Sequence, residues 1–193
     1  IEIDENEDFS KLDRGIWFIS NPSARNGGII SNEFINKICK YHKVILDITY
    51  VGLTKEYEFD VSNENIIAVI ASMSKPFGLY YYRIGFTFSR EKIETLEANI
   101  WFKNIFSLIL ADKIFDSIKP GYFYNKYRKI QEQIIEKLNK EENVNLKISD
   151  VCLLAWTKEK NPVLEKYRRD KFYRVCLTPY FLEEENKKWN TKK

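Results

Sequence analysis

The sequence predicts an α/β fold with a mostly parallel sheet and helices, followed by a small α+β lobe at the C-terminal end. Short apolar runs of strand length alternate with a helical pattern in residues 16–88, and polar residues gather where these runs stop. From residue 90 onward the apolar spacing becomes helical. With 44% hydrophobic and 31% charged residues among 193, the chain has the composition of a globular protein with a sizeable core.

Residues 1–90 have the pattern of one part of a large α/β domain. Strands are predicted at 16–20, 44–46, 66–71 and 83–88. After the first of them, Pro22 and the Gly27-Gly28 pair indicate a loop, and Ser31 is placed to cap a helix. In open α/β sheets functional groups lie beyond the carboxyl ends of the strands, so the residues that follow these strands are the first candidates for a site.

The remaining chain is predicted to hold a long connecting helix over 91–118 and a small α+β domain over 119–193. Pro120 and Gly121 end the connecting helix. A second helix is predicted near 123–140, and a strand within 146–156, a short helix at 163–169 and a final strand at 173–177 follow it. The inner side of the second helix is predicted to consist of Tyr127, Ile130, Ile134, Ile135 and Leu138.

Charge and composition narrow the class of protein. The net charge of +3 comes from 31 basic and 28 acidic residues and argues neither for nor against nucleic-acid binding. No apolar run approaches the roughly 20 residues of a membrane span, and the acidic start does not resemble a secretory signal. Three widely separated cysteines, Cys39, Cys152 and Cys176, give no metal motif and suit a reducing cytosol, so we expect a cytoplasmic protein. His42, the single histidine, is expected to be exposed.

Three groups of candidate site residues stand in order along the chain: Asp47 with Tyr50, Ser72 with Ser74 and Lys75, and Arg83 with Gly85. These residue types suit pyridoxal 5′-phosphate (PLP). A lysine can form a Schiff base with the cofactor aldehyde and then move protons, a carboxylate can keep the pyridine nitrogen protonated, and an arginine can bind the phosphate bidentately. Asp47 and Lys75 each follow a predicted strand. If those strands are adjacent and parallel, both side chains face one crevice, in which we expect Lys75 to be buried.

The segment around Lys75 resembles the PLP attachment segment of class I/II aminotransferases, which are fold-type I PLP enzymes. It contains Ser-x-Ser-Lys-x-x-Gly-Leu, then Arg-x-Gly with the arginine eight positions after the lysine. Asp-x-x-Tyr at 47–50 is similar to the family's ring-nitrogen aspartate and ring-oxygen tyrosine, and Asn21-Pro22 resembles the start of its Asn-Pro loop. Near the C-terminal end, Tyr173-Arg174 resembles the strand whose arginine holds the substrate carboxylate. The resemblance covers roughly residues 16–180.

The resemblance implies a partial PLP-transferase-like large domain and an aminotransferase that acts on amino-acid and 2-oxo-acid substrates, as a homodimer. It implies that Lys75 is catalytic and that Arg174 binds substrate. The implied cofactor-binding residues are Asn21, Tyr50, Asp47, Ser72, Ser74 and Arg83. The family's second Asn-Pro is replaced here by residues 23–26, so either Asn21 contacts the ring oxygen or that contact is lost. Family members are roughly twice this length, and we expect their N-terminal half to be missing from this chain.

Several alternatives are open at this stage. The fold also hosts PLP lyases, decarboxylases and cyclases, and a degenerate aminotransferase-like domain could serve as a partner or regulatory domain. Arg174 could belong to a solvated basic patch with Arg168, Arg169 and Lys171. The three tyrosines at 80–82 could stack on nucleic acid, although helix packing or a subunit interface is the favoured interpretation and nucleic-acid binding is not expected.

Overall fold

The computed structural model describes residues 7–183, and within them the chain forms two compact units. The first unit contains residues 7–21, 29–51 and 56–119, and the second contains 22–28, 52–55 and 120–183. The sequence had assigned the two short segments at 22–28 and 52–55 to the first domain. They belong to the second because the main-chain N–H of Val151 donates to the Gly27 carbonyl at 3.2 Å and that of Cys152 donates to the Leu53 carbonyl at 2.9 Å.

A four-stranded sheet forms the centre of the first unit. Its strands are β1 (Ile16–Ser20), β2 (Lys43–Asp47), β3 (Ile66–Ser72) and β4 (Gly85–Ser89), in that spatial order. The first three strands run parallel, and β4 is antiparallel to β3. The predicted mostly parallel sheet is therefore confirmed.

Helix α1 (Asn32–Cys39) covers one face of this sheet. Ser31 caps it as predicted, since its hydroxyl oxygen accepts the Phe34 N–H at 3.2 Å. The core under the helix consists of Phe9, Ile19, Ile35, Ile38, Cys39, Val44, Leu46 and Ile66. On the other side of β1, Ile16 and Phe18 are 63% and 61% exposed. These exposed side chains make an apolar surface on the side of the sheet opposite α1, although parallel sheets are ordinarily covered on both faces.

The connecting segment differs from the single helix predicted over 91–118. It contains α2 (Glu94–Ala98), a 3₁₀ turn (Asn99–Phe102) and α3 (Ile105–Ser117). The prediction of one continuous helix is wrong because Lys103 is extended, with φ −73° and ψ 134°, and the Asn104 side chain accepts the Ser107 N–H at 3.2 Å, which starts a new helix. One side of α3 packs through Ala111 and Ile114 on Met73, Ile84 and Phe86.

The second unit packs one long helix, α4 (Tyr122–Glu142), on an antiparallel sheet, which is the predicted α+β arrangement. The strands are β5 (Lys147–Ile148), β6 (Leu154–Thr157), β7 (Arg168–Arg169) and β8 (Phe172–Cys176), in the spatial order β5-β6-β8-β7. The five apolar residues predicted on the inner side of α4 all contribute to the core. The short helix predicted at 163–169 is a 3₁₀ helix (Pro162–Tyr167).

Gln131 is the main polar anchor in the core of the second unit. Its side chain is fully buried, and its Nε2 lies 2.7 to 3.2 Å from the carbonyl oxygens of Ser149, Val151 and Leu154. Its Oε1 accepts a hydrogen bond from Arg128. The side chain therefore holds the turn that precedes β6 against α4.

Replacing Gln131 with leucine should lower the free energy of unfolding by about 3 kcal/mol, because buried carbonyl groups lose their donor. Urea unfolding followed by circular dichroism measures this. Gln133→Leu is the matched control, since Gln133 is exposed on the same helix and should change the stability little. Equal stability of the two variants would show that Gln131 does not anchor the turn.

His42 is buried, which contradicts the expectation of an exposed side chain. Only 2% of its surface is exposed, its Nε2 lies 3.0 Å from the Phe9 carbonyl oxygen, and its ring centre lies 4.9 Å from that of Trp17. The polar residues on either side of it in the sequence concealed this packing.

Across residues 7–183, no helix has the length and apolar character needed to cross a membrane.

Candidate active site

The carboxyl ends of β2 and β3 bring the first candidate residues to one edge of the sheet. Asp47 is the last residue of β2 and is paired with Ile70 of the parallel strand β3, which ends two residues later at Ser72. Lys75 follows three residues after that. The arrangement expected from the sequence, with Asp47 and the lysine segment at the ends of adjacent parallel strands, is present.

Hydrogen bonds on both carboxylate oxygens fix the orientation of Asp47. Its Oδ1 accepts the Thr49 N–H at 3.0 Å and also the Thr49 hydroxyl. Its Oδ2 accepts the Ser20 hydroxyl from the neighbouring strand β1, at 3.2 Å. The side chain is half-buried. The chain therefore presents a single oriented carboxylate at the edge of the sheet.

The segment that carries Lys75 is a compact turn anchored on both sides. Met73 is 1% exposed, and its N–H donates to the Ile84 carbonyl at 3.1 Å. The Ser72 hydroxyl oxygen accepts the Ser74 N–H at 3.1 Å. Lys75 itself is exposed, in contrast to the expected buried lysine, because the buried neighbours Met73 and Pro76 point inward and leave the lysine side chain outside. The lysine is therefore accessible at the same edge as Asp47.

Arg83 and Gly85, the two ends of the Arg-x-Gly sequence, each have a distinctive backbone environment. Arg83 is exposed and adopts a left-handed conformation with φ +52°, which is uncommon for a residue with a side chain and is often found at functional sites. Gly85 pairs with Ser72, and a Cβ atom at Gly85 would lie only 2.9 Å from the Ala71 carbonyl oxygen. Glycine is therefore required where β4 begins, and the arginine two residues before it is exposed.

Tyr50 and Asn21 occupy different environments. Tyr50 is half-buried three residues after Asp47, at a turn in which the Val51 N–H donates to the Ile48 carbonyl at 2.9 Å. Asn21 is fully buried, and its carboxamide exchanges two hydrogen bonds with the main chain of Ile30, each 2.9 Å long. Its side chain thus closes the loop that follows β1, whereas the resemblance had implied a contact with the cofactor ring.

Arg174 belongs to β8 of the second unit, beside Trp156 of β6. Its Nη1 donates to the Ala24 carbonyl oxygen of the loop segment 22–28. Its Nε is buried and has no hydrogen-bond partner among the described residues. A buried donor without a partner is costly, and an anionic ligand group would satisfy it.

Sequence reasoning missed Ser20 and Thr49 as partners of Asp47. Thr49 could have been found, because an aspartate often accepts hydrogen bonds from the residue two positions later. Ser20 could not, because its contact depends on the register that pairs Ser20 with Asp47 across 27 residues of sequence.

Among the described residues no cluster of His, Cys, Asp and Glu is suited to a metal ion.

The chain belongs to the aminotransferase class I and II family, whose sequence model matches residues 3–149. This confirms the family that the lysine segment indicated. The cofactor that the family implies is pyridoxal phosphate. No curated protein sequence matches the chain significantly.

Solved structures similar to this chain have the fold-type I architecture. L-Threonine-O-3-phosphate decarboxylase from Porphyromonas gingivalis superposes with a TM-score of 0.65 at 19% identity, over 89% of this chain and 63% of its own. A PLP-bound C-S lyase from Staphylococcus hominis gives a TM-score of 0.63 at 17% identity, over 77% of this chain and 42% of its own. A Methanococcus jannaschii protein whose active site is similar to that of kynurenine aminotransferases gives a TM-score of 0.59 at 19% identity, over 75% of this chain and 42% of its own. The chain thus spans less than two thirds of each of these proteins.

Proposed function

We propose that the protein is a PLP-dependent aminotransferase that moves an amino group between an amino acid and a 2-oxo acid. The observation that supports the proposal is that Asp47 and the turn carrying Lys75 stand at the carboxyl ends of adjacent parallel strands, while Arg83 precedes β4, which pairs with β3. Because the chain covers only part of its structural relatives, the proposal concerns the half of the active site that these residues form.

The chemistry of the donor set fits PLP. The oriented Asp47 carboxylate can accept the ring N–H, the exposed Lys75 amine can reach an aldehyde, and Arg83 can bind a phosphate bidentately. Ser72 and Ser74 would add short hydroxyls at the phosphate, and Tyr50 a phenol at the ring oxygen. Asn21 is a weaker candidate for the ring oxygen, since its carboxamide already bonds to Ile30.

When bound, PLP supplies an aldehyde for amine condensation and a ring that accepts electrons from the substrate α-carbon. The protein's own residues would direct this chemistry. Lys75 would take the α-proton and return it, which requires an amine in reach of that carbon. Arg174 would hold the substrate α-carboxylate, and its unpaired Nε is the donor that supports this role. Asp47 would keep the ring nitrogen protonated.

Decarboxylation and carbon–sulfur cleavage are the competing reactions, because structural relatives include a decarboxylase and a C-S lyase. One assay distinguishes amino-group transfer from decarboxylation and carbon–sulfur cleavage. Purified protein loaded with PLP is given single amino acids, with and without 2-oxoglutarate or pyruvate, and the new amino acid, carbon dioxide and sulfide are measured. Turnover that depends on the 2-oxo acid supports the aminotransferase, and product formation without a 2-oxo acid assigns a lyase or decarboxylase.

We further propose that the protein forms a homodimer through the apolar surface of residues 101–109. Trp101, Phe102 and Phe106 are 83–87% exposed, and Ile105 and Ile109 are more than half exposed. A large aromatic side chain contributes roughly 150–250 Å², so this surface approaches the ~800 Å² that each partner of a standard interface buries. Charged residues of both signs flank this segment in the sequence (Lys92, Glu94, Glu97, Lys103, Asp112 and Lys113), which permits pairing with a second copy.

Phe106→Lys should weaken this dimer by roughly thirtyfold or more, because it places a charge at the centre of an apolar interface. Light scattering after size-exclusion chromatography measures the change in mass at several concentrations. Val163→Lys is the control, since Val163 is exposed in the second unit and should leave the mass unchanged. A wild-type protein that is monomeric at every concentration would contradict the proposal.

A further inference from the structure

Ser20 contacts the carboxylate that the proposed function places at the cofactor ring. It is the last residue of β1 and pairs with Asp47, the last residue of β2. Its hydroxyl donates to Asp47 Oδ2 at 3.2 Å. The main chain at the same point is held separately, since the Asn21 N–H donates to the Asp47 carbonyl at 2.8 Å.

The two carboxylate oxygens of Asp47 are not equivalent. A carboxylate offers about four acceptor positions, two on each oxygen. On Oδ1 both are used by Thr49, through its N–H and its hydroxyl. On Oδ2 one is used by Ser20. Among the described hydrogen bonds, the acceptor capacity that is left therefore lies on Oδ2, the oxygen that Ser20 contacts.

We propose that Ser20 is a positioning residue that fixes Asp47 so that Oδ2 accepts the ring N–H of the cofactor. The inference rests on the proposed function. Thr49 alone holds one oxygen and leaves the carboxylate free to tilt about that contact. The Ser20 hydroxyl, from a different strand, supplies the second point of attachment and fixes the plane of the carboxylate.

A role in positioning can be separated from a role in folding. Removing the Ser20 hydroxyl leaves the main-chain bond between β1 and β2 intact, so the sheet should keep its stability. The loss should appear in the cofactor instead, as weaker binding and as a changed near-visible absorbance, since that absorbance responds to the hydrogen bond at the ring nitrogen.

The test is a PLP titration of the whole chain, followed by near-visible absorbance over a range of pH, with thermal unfolding recorded in parallel. Ser20→Ala should bind PLP about tenfold more weakly, the expected consequence of one lost charge-assisted hydrogen bond, and should alter the pH dependence of the absorbance. Ser20→Thr keeps the hydroxyl and should restore both. Ser89→Ala is the matched control, because Ser89 ends β4 and its hydroxyl donates to the nearby Glu91 carbonyl at 2.7 Å.

Each outcome decides a separate point. Wild-type protein that does not bind PLP would overturn the proposed function, and the role of Ser20 with it. Wild-type binding together with unchanged affinity and absorbance in Ser20→Ala would overturn the role of Ser20 alone. Weaker binding that accompanies an equal loss of thermal stability, without rescue by threonine, would assign Ser20 a structural role and also overturn the inference.

Discussion

Exchange of Lys75 for alanine is expected to lower turnover by about 10⁴-fold or more, because one amine both captures the cofactor and moves the substrate proton. Turnover is measured as formation of the new amino acid from a 2-oxo acid. A small primary amine added to the solution should restore part of the rate, since it supplies the missing base. Lys92→Ala is the control: Lys92 is an exposed lysine that pairs with Glu97 at 3.5 Å and should be dispensable. Retention of full turnover by Lys75→Ala would remove this residue from the mechanism.

Asp47→Asn is expected to lower kcat by roughly 10²–10³-fold, the range found when one electrostatic contact to a reacting group is lost. The amide keeps the size of the side chain and cannot hold the ring nitrogen protonated. PLP should still bind, more weakly, so the loss should remain when the cofactor is saturating.

The chain offers a close control for this substitution. Asp60 forms the same local turn, in which its Oδ1 accepts the N–H of Ser62 at 3.0 Å and the Ser62 hydroxyl. These bonds hold the pKa of the Asp60 carboxyl below its ordinary value. Asp60→Asn therefore weakens the same kind of turn as Asp47→Asn does. Because Asp60 is not one of the candidate site residues, this substitution should leave kcat unchanged. Equal effects of the two substitutions would mean that Asp47 acts only through its turn.

The strands and the helix α1 could be predicted from sequence because each is a local pattern bounded by residues that end it. Residues 66–71 are an uninterrupted apolar run that ends at Ser72 and is followed by a turn, and Ser31 is an N-cap before apolar residues at helical spacing. The break between α2 and α3 was missed because the apolar pattern runs on through it, while a single capping side chain, Asn104, decides the boundary.

The candidate site was predictable where it depends on the order of strands and turns. Asp47 and Lys75 could be placed at one edge because both follow strands, and parallel neighbours end at the same side. Contacts that depend on lateral register were not predictable. The Ser20 contact requires the pairing of β1 with β2, and the role of Asn21 as a clamp on Ile30 requires the closed loop. The exposure of Lys75 likewise depends on which of its neighbours point inward.

The most direct test of the central claim is reduction of the PLP-loaded protein with borohydride, followed by proteolysis and mass spectrometry of the peptides. We expect loss of the near-visible absorbance and one stable cofactor adduct, located on Lys75 and absent from Lys75→Ala. Failure to take up PLP, or an adduct spread over other lysines and unchanged in Lys75→Ala, would contradict it.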